Sequence, residues 1–203
     1  MESIVADPDS LMTARNFDYP RLTNLWGNEG WSASREYLTG CLAAAHVTRG
    51  AILECGTGLS TLLLGIIAGR TGQKVWSLEH DEAWARRIGT CLTRHGIDSV
   101  ELCVRPLRNY GSFHWYDPPL DALPTDFSLV VCDGPPGSTP GGRSGMLPVM
   151  RSHLGPGCVI LLDDADRAEE QAIAAEWGRE LATSIKSCGE EKRYIELRVP
   201  QVG

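Results

Sequence analysis

The stretch that most constrains the fold of this chain is a short apolar run that ends in a glycine turn. Residues 51–53 are apolar, Glu54 and the glycines Gly56 and Gly58 follow, and Ser60 opens a second apolar run. This pattern predicts a buried strand, a tight turn and a helix start, because glycine permits positive φ and close approach of a ligand. The N–H groups of a first helical turn point back into such a turn. We therefore expect a nucleotide-like cofactor at the carboxyl edge of a parallel sheet.

The residues around the glycines discriminate between cofactors. A phosphate-binding P-loop requires Gly-Lys-Ser/Thr, which does not occur here. A dinucleotide turn has a third glycine, and Thr61 stands at that position. Glu54, just before the turn, would repel a pyrophosphate but suits a cationic amino group. Two alternatives remain at this point, namely a structural turn without a ligand and a nucleotide-dependent oxidoreductase, which Thr61 disfavours.

A second acid supports the cofactor hypothesis. Residues 75–79 predict a strand that ends on Glu79, about 20 residues after the turn. An acid at this place can accept hydrogen bonds from both ribose hydroxyls of an adenosine cofactor. A solvated strand end is the alternative for Glu79. His80 is expected to pack or to lie beside the adenine.

The rest of the chain predicts an α/β fold with a doubly wound, Rossmann-like sheet. Further strands are expected at 100–104, 127–133 and 158–164, with helices between them and a strand pair between 184 and 199. Residues 108–126 are expected to form a long loop. Residues 1–25 lack clear periodicity and are expected to be an arm without regular structure.

Four runs along the chain carry a resemblance to a known family. LECGTGLST, VWSLEHDEAW, FSLVVCDGPPG and GPGCVILLDDADR are similar to successive motifs of the class I S-adenosylmethionine (SAM)-dependent methyltransferases. The last two resemble bacterial small-molecule methyltransferases, including O-methyltransferases. The resemblance implies a seven-stranded sheet, mostly parallel with an antiparallel terminal strand. We also expect an N-terminal arm and cap helix over 1–46 and a SAM-binding domain over 47–203, in one compact unit.

The resemblance assigns expected roles to the strand ends. The expected cofactor contacts are Glu54, Gly56, Gly58, Ser60, Glu79, His80 and Asp133. Glu54 and the glycine backbone would hold the methionine part of SAM, and Glu79 would hold the ribose. Asp133 would lie under the methyl group that is transferred.

Three acids end the fourth and fifth predicted strands, namely Asp133, Asp163 and Asp164. Neighbouring strands lie about 4.8 Å apart, so these carboxylates can converge and raise the pKa of at least one of them. Mg²⁺ takes such ligands and would acidify an acceptor hydroxyl, which makes Asp133 and Asp163 the expected catalytic and metal-binding pair, with Asp164 as a third ligand. The resemblance to catechol-type O-methyltransferases points the same way, although an asparagine often stands where Asp164 is.

Two alternatives to the metal site remain open. Arg143 or Arg167 could neutralise the acids, and one carboxylate with a raised pKa would then act as general base. Asp164 could instead cap the next helix and contact no ligand.

Several aromatic residues are expected to border the acceptor pocket. Trp26 and Trp31 flank a glycine-containing segment, and Trp115 and Tyr116 lie in the expected long loop. They would suit a flat or apolar acceptor, with Arg143 as a further acceptor contact. The alternative is that the aromatic residues pack against one another as a structural cluster.

Composition narrows the class of partner. The net charge of −7 argues against a broad nucleic-acid surface, and no apolar run is long enough to span a membrane. The seven cysteines form no C-x-x-C pair, which is typical of reduced thiols in a cytoplasmic protein and disfavours zinc. We expect SAM-dependent methyl transfer to an oxygen, less so a nitrogen, of a small molecule, in a monomer or a homodimer. A non-catalytic SAM-binding module is the alternative.

Overall fold

The computed structural model describes residues 19–27 and 33–201. Its helices are α1 (Tyr19–Trp26), α2 (Arg35–Val47), α3 (Leu59–Thr71), α4 (Glu82–Arg94), α5 (Met146–Met150) and α6 (Ala168–Glu180). Its strands are β1 (Ile52–Cys55), β2 (Val75–Glu79), β3 (Val100–Val104), β4 (Leu107–Asn109), β5 (His114–Tyr116), β6 (Phe127–Cys132), β7 (Leu154–Leu162), β8 (Lys186–Cys188) and β9 (Tyr194–Arg198). Short 3-10 turns cover Leu120–Ala122 and Arg151–His153.

Seven strands form one sheet in the order β3-β2-β1-β6-β7-β9-β8. The first five in this order are parallel, and β9 runs antiparallel to both β7 and β8. The central strands β1 and β6 are apolar and almost wholly buried, as expected for parallel strands covered on both faces. The predicted α/β fold class, with a mostly parallel seven-stranded sheet and an antiparallel terminal strand, is confirmed.

Two apolar clusters cover the two faces of the sheet. Helices α1 to α4 pack on one face, and α5, α6 and β5 pack on the other. Helix α3 is buried from Leu59 to Ala68, because α2 and α4 flank it while the sheet lies beneath it. This explains why its sequence is apolar all round rather than striped.

Three segments differ from the sequence expectations. The expected loop at 108–126 contains part of the β4–β5 hairpin and a 3-10 turn, and its strands are too short to show a clear alternation. Tyr19–Trp26 is a helix, although an irregular arm was expected, and it buries Leu22 and Trp26 against the body. Strand β7 begins at Leu154, because this residue already pairs with β6 ahead of the glycine-proline segment that was expected to precede the strand.

The fold places five loops at one edge of the sheet. The segments that follow β1, β2, β3, β6 and β7 leave from the carboxyl ends of parallel strands. The chain order of the strands reverses between β1 and β6, which is where doubly wound sheets bind ligands. None of the described helices has the length and apolar character needed to cross a membrane.

Candidate cofactor and acceptor site

A cavity of about 490 Å³ opens at this edge of the sheet. The predicted site residues that line it are Gly56, Gly58, Ser60, Glu79, His80, Tyr116, Asp133, Arg143, Asp163 and Asp164. Glu54, Trp26 and Trp115 do not line it. Trp31 lies outside the described residues. Residues that sequence reasoning did not place at the site also line it, among them Thr57, Trp84 and Lys192.

The glycine turn is closed by hydrogen bonds to residues of β2 and α3. The N–H groups of Gly56, Thr57 and Gly58 donate to the Leu78 carbonyl (3.0 Å), the Glu79 carboxylate (3.2 Å) and the Thr61 hydroxyl (2.9 Å), respectively. A bound diphosphate is held by free N–H groups of such a turn. Because three consecutive donors are already paired, the turn is poorly suited to a dinucleotide.

Gly56 and Gly134 bring the turns that follow β1 and β6 into contact. A Cβ atom on Gly134 would lie 2.8 Å from Cα of Gly56 and 2.5 Å from the Tyr116 hydroxyl. A Cβ atom on Gly56 would lie 3.0 Å from the Gly134 backbone. Gly56 also has φ of +87°, so only glycine fits both the conformation and the space.

We expect Gly56→Ala to destabilise the protein more than Gly72→Ala. Both glycines have positive φ, but a Cβ atom at Gly72 meets nothing within 4 Å. Gly72→Ala should therefore cost only the strain of the left-handed conformation, about 1–2 kcal/mol. Gly56→Ala should cost about 1–3 kcal/mol more, because it overpacks two backbone turns. Urea unfolding of both variants measures the difference, and equal costs would contradict this account of the turn.

Glu79 is a buried carboxylate with fixed partners. Its Oε2 accepts hydrogen bonds from the Thr57 N–H and hydroxyl, and its Oε1 accepts from the N–H groups of His80 (2.7 Å) and Asp81 (2.9 Å). Burial by itself raises the pKa of Glu79, but the His80 side chain and these donors outweigh it and lower the pKa to about 2. The carboxylate is therefore ionised and held rigidly at the cavity wall.

His80 adjoins this carboxylate. Its Nδ1 lies 3.1 Å from Oε1 of Glu79, within ion-pair distance, and this contact raises the pKa of the imidazole. Its ring also meets the Tyr116 ring edge to face. The structure thus places His80 at the wall of the cavity, beside Glu79.

Glu54 has a different position from the one expected. It is fully buried, and its Oε1 and Oε2 accept hydrogen bonds from the hydroxyls of Ser60 (2.6 Å) and Ser77 (2.7 Å). It therefore ties the start of α3 to β2 beneath the turn and does not face the cavity. Burial raises its pKa to about 7 even though these hydroxyls oppose the shift. The prediction that Glu54 contacts the cofactor is corrected to a supporting role under the turn.

We expect Glu54→Gln to remove a pH-dependent loss of stability. The pKa of about 7, above the ordinary 4.5, means that the native state holds the proton more tightly than the unfolded state does. The stabilisation from the protonated carboxyl is therefore complete below about pH 4.5, and about 3 kcal/mol is lost as the pH rises through 7. Glutamine carries no such titration, so the variant should gain stability relative to the wild type between pH 5 and pH 8.

Urea unfolding at pH 5 and at pH 8 measures this gain. Glu101→Gln is the control, because Glu101 is an exposed glutamate on the edge strand β3. If Glu54→Gln changed the free energy of unfolding by the same amount at both pH values, the ionisation account of Glu54 would be wrong.

Two tryptophans expected at the acceptor pocket pack elsewhere. Trp26 meets Trp84 edge to face at 5.9 Å, and the Arg87 guanidinium lies over both rings. Trp115 is fully buried against Gly145. Both bury apolar area within the protein, but they lie in the clusters on opposite faces of the sheet and do not pack against each other as the alternative expected.

Two other aromatic residues do reach the cavity. Trp84 lines it and donates its Nε1–H to the Thr57 carbonyl at 2.8 Å. Tyr116 also lines it, with its hydroxyl buried and without a hydrogen-bond partner in the described part of the chain. A buried hydroxyl without a partner is unfavourable, so it is suited to a polar group of a bound ligand.

Asp133, Asp163 and Asp164 form an acid cluster whose nearest oxygen atoms all lie within 4.8 Å of one another. Arg143 reaches into this cluster from the glycine-rich loop after β6. Its Nη2 lies 2.9 Å from Oδ1 of Asp133 and 2.7 Å from Oδ2 of Asp164. Oδ2 of Asp164 also contacts Arg167 at 3.0 Å. The alternative in which arginine neutralises the acids is therefore the arrangement that the structure contains.

The three acids differ in their surroundings. Burial and its neighbours raise the pKa of Asp133, against the effect of Arg143. Burial also raises the pKa of Asp163, whose Oδ1 is buried and has no hydrogen-bond partner among the described residues. The pKa of Asp164 is lowered, because its cations outweigh its burial. Asp164 does not cap α6, whose N-cap residue is Arg167.

Lys192 reaches the acid cluster from the loop between β8 and β9. Its Nζ lies 3.2 Å from Oδ1 of Asp164. Glu36 holds this loop by accepting hydrogen bonds from the N–H groups of Glu190, Glu191 and Lys192 at 2.8–3.0 Å. A charged residue in a hairpin loop gives no sequence signal of a site, because most such residues are solvated.

The described residues do not fit a divalent cation at the acid cluster. Both oxygens of Asp164 and one of Asp133 already contact cationic side chains. A metal ion there would adjoin the Arg143 guanidinium and compete with it for the same oxygens. The expected metal ligands thus come together in space without offering a free coordination shell.

Comparisons with known proteins identify solved structures that have a similar fold. No protein-family model matches the sequence, and no curated protein matches it. A methyltransferase of Podospora anserina with S-adenosylhomocysteine (SAH) bound is 16% identical, with a TM-score of 0.66 over 96% of this chain and 89% of that one. An O-methyltransferase of Bacillus cereus in complex with SAH is 16% identical, with a TM-score of 0.63 over 94% and 90%.

A third solved structure, a precorrin-6Y C5,15-methyltransferase of Geobacter metallireducens, is 12% identical, with a TM-score of 0.58 over 86% of this chain and 96% of that one. At such low identity these likenesses show the fold alone. The chain therefore has the doubly wound fold that these methyltransferases share.

Proposed function

We propose that this protein is a SAM-dependent methyltransferase that acts on an oxygen, less favourably a nitrogen, of a small molecule. One observation carries the proposal. A single cavity is lined by the closed glycine turn, by the ionised Glu79 and by Asp163, whose Oδ1 is buried and without a partner among the described residues. The first two suit an adenosine cofactor without phosphates, and the third suits a group that gives up a proton.

The cofactor end fits SAM in four respects. The turn offers little to a diphosphate, because the N–H groups of residues 56–58 are paired. A ribose hydroxyl would replace the Thr57 hydroxyl as a donor to Glu79, and the Tyr116 hydroxyl needs a ligand partner. The contact between Gly56 and Gly134 leaves that part of the floor free of side chains. When bound, SAM supplies an electrophilic methyl group on a sulfonium.

The acceptor end can hold and deprotonate a hydroxyl. Oδ1 of Asp163 would accept the proton of the acceptor, because it faces no other donor among the described residues. Asp133, fixed by Arg143, would help to align the acceptor, since holding reactants in line supplies much of the rate. The cations around Asp164 leave that residue unavailable as a base.

Two alternatives are weaker. A nucleotide-dependent oxidoreductase would need turn N–H groups that are already paired. A non-catalytic SAM-binding module would bind SAM in the same way, so only a measurement of methyl transfer distinguishes it from a methyltransferase. The acidic charge supports a small-molecule acceptor over a nucleic acid, and the seven free cysteines support a cytoplasmic protein.

Methyl transfer tests the proposal directly. Purified protein is incubated with SAM carrying a labelled methyl group and a panel of small phenols, carboxylic acids and amines, and products are identified by mass spectrometry. We expect a labelled methyl ether or ester. Binding of SAM without any labelled product across the panel would favour the non-catalytic module.

A further inference from the structure

Arg143 occupies the centre of the acid cluster as a buried cation. Its side chain is only 3% exposed. Its Nη1 donates to the Asp163 carbonyl and its Nη2 to the Asp133 carbonyl, both at 2.8 Å. The guanidinium therefore bridges the backbone at the ends of β6 and β7 as well as the carboxylates there.

The same contacts give this guanidinium the connections that a shared metal ion would have. Nη2 alone lies within 3 Å of a carboxylate oxygen from Asp133 and one from Asp164. These acids stand on the segments after two neighbouring strands, and one positive group holds both. A planar guanidinium with several fixed donors is suited to such a bridge.

The local charge is also close to balance without a metal. Counted as ionised, the acid cluster and the buried Glu170 supply four negative charges, and Arg143, Arg167 and Lys192 supply three positive ones. One negative charge remains, which suits the positive sulfonium of the proposed cofactor. A divalent ion would instead leave a net positive charge beside that sulfonium.

We propose that Arg143 is the resident cation of the acid cluster, that it excludes divalent metals, and that methyl transfer here needs no metal. This inference rests on the proposed function only for its last clause. Arg143 is a positioning residue, because it sets the separation of the two strand ends and the orientation of Asp133.

Binding of Mn²⁺ tests the proposal without an acceptor. Paramagnetic resonance of free Mn²⁺ is measured with the full chain as wild type, Arg143→Gln and Arg167→Gln. We expect wild type to leave the ion free up to about 1 mM, a concentration at which only weak sites fill. Arg143→Gln should bind at least tenfold more tightly, because it frees the oxygens of Asp133 and Asp164. Arg167→Gln should bind Mn²⁺ with an affinity within about threefold of wild type, because the Arg167 guanidinium that it removes is half exposed.

Each outcome decides the proposal. Tight Mn²⁺ binding by the wild type that Asp163→Asn abolishes would overturn it. So would an Arg143→Gln variant that folds, as judged by circular dichroism, yet binds no more Mn²⁺ than wild type. If Arg143→Gln does not fold, the wild-type titration decides alone. SAH binding, measured on the same wild-type sample, separates failure of this inference from failure of the proposed function.

Discussion

Asp163→Asn should lower kcat by about 100-fold or more while the affinity for SAH changes by less than about fivefold. Asp163 lines the cavity, and its Oδ1 is buried and lacks a hydrogen-bond partner among the described residues. Asparagine keeps the size of the side chain but cannot take a proton from the acceptor. Because the loss falls on proton transfer rather than on binding, the KM for the acceptor should move much less than kcat.

Asp166→Asn is the matched control for this prediction. Asp166 stands near Asp163 in sequence, but its carboxylate binds the exposed Arg193 outside the cavity. We expect its kcat within about twofold of wild type. Steady-state kinetics with an acceptor identified by the labelling experiment, and calorimetry with SAH, measure both quantities. Should Asp163→Asn keep full kcat, Asp163 would lose its role as base and Asp133 would be the next candidate.

Glu79→Ala should weaken SAH binding by about 1–3 kcal/mol, or about 5- to 150-fold. The carboxylate orders the glycine turn through Thr57 and the start of α4 through the N–H of Asp81. Its removal takes away the proposed ribose partner and leaves these donors unpaired. Since the pKa of Glu79 is about 2, the wild-type affinity should also stay constant between about pH 5 and pH 8 as far as this group is concerned.

Glu82→Ala is the control for Glu79→Ala. Glu82 lies three residues further on, is largely exposed, and pairs only weakly with Arg86 on the surface of α4. Its replacement should leave SAH affinity unchanged within error of calorimetry. Undiminished affinity in Glu79→Ala would remove Glu79 from the cofactor site.

The sheet and the cofactor edge could be predicted from local sequence because they depend on patterns of neighbouring residues. Apolar strands that end on acids and a glycine turn after β1 define where the carboxyl edge of the sheet lies. The position of Glu79 could be predicted for the same reason, since an acid at the end of a parallel strand must lie at that edge. Asp81 is the N-cap of α4 and accepts hydrogen bonds from the N–H groups of Ala83 and Trp84.

The direction of individual side chains could not be predicted in the same way. Glu54 shares a face of β1 with Ile52, and that face turns out to be covered by α3, so the carboxylate meets Ser60 beneath the turn. Trp115 is buried because β5 packs against the sheet, a contact between segments far apart in sequence. Periodicity gives the alternation of a strand but not which helix covers each face.

The residues that surround the acids also depend on long-range contacts. Lys192 meets Asp164 because β9 pairs antiparallel to β7 and because Glu36 holds the loop between β8 and β9. Arg143 was recognised as a candidate for neutralising the acids, but its central position depends on the path of a glycine-rich loop. The contacts of Arg143 with these acids therefore could not be predicted from local sequence.

Calorimetric titration of the purified protein with SAH and, separately, with NAD⁺ tests the central claim most directly. We expect SAH to bind one site per chain with a dissociation constant in about the micromolar range, and NAD⁺ to show no binding up to about 1 mM. Binding of NAD⁺ with no detectable binding of SAH would contradict the account, because the paired turn N–H groups and Glu79 would then have to accommodate a diphosphate.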